Sequence, residues 1–261
     1  VQIGLSHFAE VTVESRSGGI DHAYFLSSSE EQERFVGTPD YAAYSGPGYQ
    51  WRVFGFDRIA LVADEDPTPP SVQLYGSPED DTLYYGPLTW NDIEIGPGVL
   101  FTLGGANPTN FYLLNVNSVR VFADGMTGGG NDVAELYGLA GRQERFAALA
   151  ATRTVVYSAT DSPEGPFQLT AIGFQHVRMV GNASAGDLDT ALIIDSLAND
   201  ILRANGSTNP RQISLEALDH VLTLEDLAEI TAVRFFGGDD VVDIQHPEEL
   251  EFDLELVGGW D

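Results

Sequence analysis

The sequence contains no cysteine, which excludes disulfides, thiolate zinc sites and cysteine nucleophiles. It has no lysine either, because all twelve basic residues are arginine. A Schiff-base amine, a pyridoxal anchor and the phosphate-gripping lysine of a nucleotide loop are therefore excluded. No run of about 18 apolar residues occurs to span a membrane as a helix. The opening VQIGLSHFAE lacks the charged and long apolar segments of a secretory leader. The expectation is a mature secreted form without its leader, or a segment of something longer. Histidine-pair zinc spacing, the serine nucleophile elbow and the dinucleotide glycine fingerprint are missing too. The histidines His7, His22, His176, His220 and His246 are read as surface or strand-edge residues.

Acid is what the chain has in excess. Forty acidic residues face twelve basic ones, for a formal net charge of −28. So negative a surface repels a phosphate backbone, which argues against nucleic acid as a partner. Cations, neutral glycans and other proteins are left. The 43% hydrophobic and 10% aromatic content marks a folded chain rather than an acidic tail. Acidity without lysine is also the composition of salt-adapted proteins, in which no ion need be held specifically.

A degenerate phrase recurs along the chain: a large apolar residue, two mostly polar ones, a β-branched residue, any residue, then another apolar one. It begins at Phe8, Phe56, Val116, Phe174 and Leu227, at spacings of 48, 60, 58 and 53 residues. Longer stretches align as well. Residues 17–35 match 129–146 down to a shared Glu-Arg-Phe, and 71–85 match 189–204 through Ser77 and Ser196, Asp81 and Asp200. Residues 237–252 read as a shortened last copy. Period-two alternation, as in Val119-Arg-Val121-Phe-Ala123, is a strand signal, and Gly, Pro, Asn and Asp cluster between such runs. Residues 134–151 and 213–230 carry some helical character, but their alignment and context favour strands. The chain is read as one all-β repeat domain, 1–261. About five short strands per copy admit a right-handed parallel β-helix, a β-solenoid with roughly two three-stranded coils per copy, or a five-bladed β-propeller. Variable spacing and the shortened last copy favour the solenoid.

Residues 37–63, GNDVAELYG (130–138) and GSPEDDTLY (76–84) resemble the long degenerate repeats of very large secreted or surface proteins of planctomycete-type bacteria. The resemblance runs from about Phe8 to Leu202 and implies an extracellular repeat architecture without a defined activity. GGGNDVAEL (128–136) and GDLDTALII (186–194) are more loosely similar to the calcium-binding nonapeptide repeats of toxins and secreted lipases. Here they stand alone, without the adjacent turns that complete each calcium shell in that family.

The acidic turns are the candidate metal ligands: Asp80, Asp81, Asp132, Asp187, Asp189, Asp200, Asp239 and Asp240, with Asp64-Glu65-Asp66 a further acidic turn. Calcium takes six to eight oxygens, and closely spaced carboxylates with backbone carbonyls supply them. The same residues also populate turns simply because their side chains bond nearby backbone. Two aromatic clusters, Tyr41, Tyr44, Tyr49 and Trp51, then Tyr84, Tyr85 and Trp90, are either core ladders or sugar platforms. Gly128-Gly129-Gly130 reads as a turn, and Asn182-Ala-Ser184 and Asn205-Gly-Ser207 match the N-glycosylation pattern.

The expected function is a structural or adhesive repeat protein, secreted or at the cell surface, calcium-stabilised and contacting other copies or neighbouring domains, with glycans as a further partner. Neither nucleic-acid binding nor membrane insertion is expected. The alternative is a glycan-active enzyme, a hydrolase or lyase, or a carbohydrate-binding module on a β-helix. The hydrolase requires two carboxyls about 5–10 Å apart in a groove.

Overall fold

Alternating apolar and polar residues bury one side of most strands, and the chain stacks these half-buried strands into two layers. A computed structural model describes residues 8–16, 18–27, 32–63, 69–90, 93–106, 108–123, 130–159, 166–182 and 188–260, with Trp90 and Pro210 as backbone. The strands β1 (Glu10–Glu14) and β2 (His22–Leu26) come first. They are followed by β3 (Arg34–Gly37), β4 (Ala42–Gly46), β5 (Tyr49–Phe54), β6 (Arg58–Val62) and β7 (Ser71–Tyr75). Next are β8 (Thr82–Trp90), β9 (Ile93–Thr102), β10 (Asn110–Leu114), β11 (Ser118–Phe122) and β12 (Val133–Tyr137). Then come β13 (Glu144–Leu149), β14 (Thr154–Ala159), β15 (Phe167–Ile172), β16 (His176–Val180) and β17 (Thr190–Ile194). The last are β18 (Ile201–Asn205), β19 (Asn209–Ala217), β20 (His220–Glu225), β21 (Glu229–Val233), β22 (Val241–Gln245) and β23 (Asp253–Val257).

Two mixed sheets result. The first has twelve strands in the order β1-β5-β4-β3-β7-β11-β15-β14-β13-β17-β21-β23, and the second eleven, β2-β6-β10-β9-β8-β12-β16-β20-β19-β18-β22. Antiparallel meanders of three strands, β3–β5 and β13–β15 in the first sheet, β8–β10 and β18–β20 in the second, alternate between the sheets. Each parallel pair joins a strand to the one four later, except β21 with β23. The recurring phrase falls at every fifth strand: Phe8, Phe56, Val116, Phe174 and Leu227 lie two residues before β1, β6, β11, β16 and β21.

The chain is all-β, and no α-helix occurs among the described residues. Residues 134–151 and 213–230 fold mainly as strands, with a short 3-10 turn at Ala150–Thr152. Two departures from the favoured parallel β-helix stand out: the strands collect in two sheets rather than the three faces of three-stranded coils, and the meanders make both sheets mixed rather than purely parallel. The five blades of the alternative reading are not formed either. Tight polar turns produce the meanders. Between β3 and β4 the Thr38 hydroxyl accepts the Asp40 and Tyr41 N–H groups, and Gly48, at φ +84°, turns β4 into β5. Phe35, Tyr44, Phe101, Phe111, Phe146, Tyr157 and Phe174 are the largest side chains fully buried in the core.

Candidate functional site

Several strands begin just after an acidic residue whose side chain turns back into the backbone. Before β8, Asp81 accepts Ser77 N–H and the Ser77 hydroxyl, each at 2.7 Å, and Gly104 N–H at 2.8 Å. Before β18, Asp200 accepts Ser196 N–H at 2.5 Å and the Ser196 hydroxyl at 2.8 Å. The next link crosses to a parallel neighbour. Asp81 N–H donates to Asp132 Oδ1 at 2.8 Å, Asp200 N–H to Asp240 Oδ1 at 2.9 Å, and Glu144 N–H to Asp189 Oδ1 at 3.0 Å. The first ladder continues, because Asp132 N–H donates to Gln175 Oε1 at 2.8 Å. Asp21 N–H donates in the same way to Asp57 Oδ2. Close backbone approach makes the crossing possible: a Cβ at Gly130 would sit 2.3 Å from Glu79 O, and one at Gly238 2.3 Å from Ala198 O.

Two buried glutamates complete the arrangement, and both belong to the shared Glu-Arg-Phe. Glu33 accepts the Tyr49 hydroxyl at 2.5 Å. Glu144 accepts the Tyr157 hydroxyl at 2.5 Å and Leu139 N–H at 2.7 Å. Tyr44 and Tyr157 occupy the same place, opposite Phe35 and Phe146. Burial pushes the Glu144 carboxyl up to about 7, aided by Asp189 and opposed by Tyr157, Leu139 N–H and Arg142. Burial first raises both tyrosine hydroxyls far above their usual range, followed by Glu33 at Tyr44 and by Tyr85 and then Glu144 at Tyr157. Asp200 is also raised, chiefly by burial and then by Asp240 and Asp195, against the bonds from Ser196.

The structure thus pairs Asp81 with Asp132 and Asp200 with Asp240, while Asp189 is joined to Glu144, a partner that sequence reasoning missed. Asp240 also pairs with Arg234 at 2.8 Å. Asp80 and Asp239 are exposed. Asp80 accepts Asn131 N–H, and Asp239 N–H donates to Asn199 Oδ1. Asp187, the acidic turn 64–66, Gly128, Gly129, Ser184 and His7 lie outside the described residues. Asp81, Asp132, Glu144, Asp189, Asp200 and Asp240 are all at most 1% exposed, so these pairs present no carboxyl to a substrate groove.

Among the described residues, one trio sets its ligand atoms within 4.8 Å of one another: exposed His246, Glu248 and Glu249. The run His-Pro-Glu-Glu was the readable signal. His220 departs from the surface reading. Its strand alternates inward, burying it with Leu222 and Leu224, and burial then Arg153 lowers its pKa. Of the aromatic clusters, Tyr44 and Tyr85 are core residues. Tyr49 and Trp51 pack beside Tyr44 with ring centroids 5.3–6.3 Å apart.

Compared with protein-family models, curated proteins and solved structures, the chain matches none of them.

Proposed function

We propose that this chain is a non-catalytic β-solenoid module with a structural or adhesive role in a secreted or cell-surface assembly. The observation that carries the reading is the use of its acids. The carboxylates most deeply placed are spent on backbone N–H groups between successive strands, which stiffens a stack and leaves them unable to reach a scissile bond. The pairing of each strand with the one four later supports a solenoid path, in which stacked turns share one continuous core. Strands β1, β2, β22 and β23 are paired on one side only, so both ends offer edges to neighbouring domains or copies. Any calcium in this reading is confined to exposed turn acids such as Asp80 and Asp239.

The test is incubation with neutral and acidic polysaccharides, followed by assay for new reducing ends and for unsaturated uronate. No product is expected. Turnover that survives repurification and disappears on substitution of a single carboxylate overturns the reading.

A further inference from the structure

The outer face of the second sheet carries one uninterrupted cross-strand row. Strand registers link Tyr24 to Ala60, Ala60 to Tyr112, Tyr112 to Leu100 and Leu100 to Tyr84. The row then runs through Glu135 and Arg178 and ends at Ser214, Arg203 and Asp243. The chain neighbours of its tyrosines, among them Phe25, Phe111, Leu83 and Tyr85, are core residues, so by strand alternation the tyrosines face outward, while Ala60 between Tyr24 and Tyr112 is covered, at 3% exposure.

Two features of this row differ in chemistry and complement each other. The first is its aromatic half. Tyr24, Tyr112 and Tyr84 are each separated by one small or aliphatic residue, hence by two strand spacings, about 9.5 Å. Tyr24 is 57% exposed. Tyr137 extends the surface, 5.4 Å from Tyr84 between ring centroids, with the Arg178 guanidinium 5.6 Å above its ring. Tyrosine offers an apolar face to ring C–H groups and a hydroxyl to hydrogen-bond with. The second is a depression of about 380 Å³ at the other end, lined by Arg203, Asn205, Asn209, Gln212, Ser214 and Gln245, among others. Its volume suits a small ligand, and its amides and hydroxyls suit a hydroxyl-rich one.

Charge selects among such ligands. Arg203 faces Glu216 and Asp243, and Arg178 is engaged by Glu225 at 2.5 Å. Both arginines of the row are thus already matched, on a chain of net charge −28. An anionic polymer is repelled, and a neutral one is not. We propose that the outer face of the second sheet binds a neutral oligosaccharide chain, stacked on Tyr24, Tyr112 and Tyr84 and hydrogen-bonded in the depression at Arg203 and Gln212. The proposal rests on the non-catalytic reading and supplies the adhesive partner's class.

Affinity electrophoresis of the full chain in gels containing mixed-linkage β-glucan, galactomannan or xyloglucan, with polygalacturonate as the anionic control, tests it. Retardation by at least one neutral polymer is expected, and none by polygalacturonate. The triple variant Tyr24→Ala, Tyr112→Ala, Tyr84→Ala should lose at least tenfold in affinity, and Asn205→Ala with Gln212→Ala several-fold. The triple Phe variant at the same tyrosines, which keeps the rings, should retain most of the binding. Circular dichroism and melting temperature establish that each variant is folded. The proposal is overturned if no neutral polymer retards the chain, if polygalacturonate alone does, or if the folded Ala variant binds unchanged. Release of reducing ends with binding intact would instead sink only the non-catalytic reading.

Discussion

Among the carboxylates, Glu144 is the one whose ionisation the fold opposes most clearly. Its folded pKa lies near 7, above the usual glutamate range near 4.3. Below that range both states hold the proton and the contribution to stability is complete. As pH rises the unfolded chain releases its proton first, so stability falls until the folded group has also ionised, through about pH 7. The loss is on the order of 3 kcal/mol. Glu144→Gln should therefore flatten the fall between about pH 4.5 and 7 and be more stable than the parent at pH 8. Urea titrations of both proteins across that range check this. Asp81→Ala and Asp200→Ala each leave buried N–H groups without acceptors, and each should lower stability by about 2–4 kcal/mol. An unchanged urea midpoint for both would refute the ladder as a source of stability. Ser77 with Asp81 and Ser196 with Asp200 were legible in the sequence as matched positions of two aligned stretches. The direction of their oxygens was not, because a carboxylate aimed at a cation and one aimed at backbone N–H obey the same local turn preferences.

At the scale of the strand, neighbouring residues have opposite fates. Phe111 is fully buried, and Phe111→Ala should cost about 3–5 kcal/mol. Tyr112, one residue on, faces outward, and Tyr112→Ala should cost no more than about 1 kcal/mol. Equal losses in chemical denaturation would mean that the register of β10 is wrong. Period-two alternation and the recurring phrase made the strands readable, including the two stretches with some helical character. The meanders were harder to read. Whether a strand continues into its own sheet or crosses to the other depends on turn geometry such as that of Thr38 and Gly48, which hydrophobic pattern does not encode. The outward tyrosine row was also hidden. Tyr84 was grouped with Tyr85, which points the other way, while Tyr24 and Tyr112 are distant in sequence and meet only through parallel pairing with β6.

For the molecule as a whole, a net charge of −28 opposes compaction, and dissolved salt screens it over about 10 Å at 0.1 M. Melting temperature should rise with sodium chloride. Millimolar calcium after EDTA should add little beyond a control of matched ionic strength, since most of the candidate ligands already accept N–H groups. A calcium-specific rise measured by scanning calorimetry would give the exposed turn acids a defined ion. The alternation of meanders between sheets carries a consequence for shape. A group of five strands opening with a meander adds four strands to one sheet and one to the other, and the next group reverses the ratio. Were every meander on one side, that sheet would lengthen faster than its partner and the stack would bend towards the slower side. With alternation, two groups advance both sheets equally by five strands, about 24 Å. Growth is thus balanced only in steps of two groups. Excising residues 81–199, which joins Leu74-Tyr75 and its turn directly to Asp200, should leave a shorter folded chain, whereas removing one group should not.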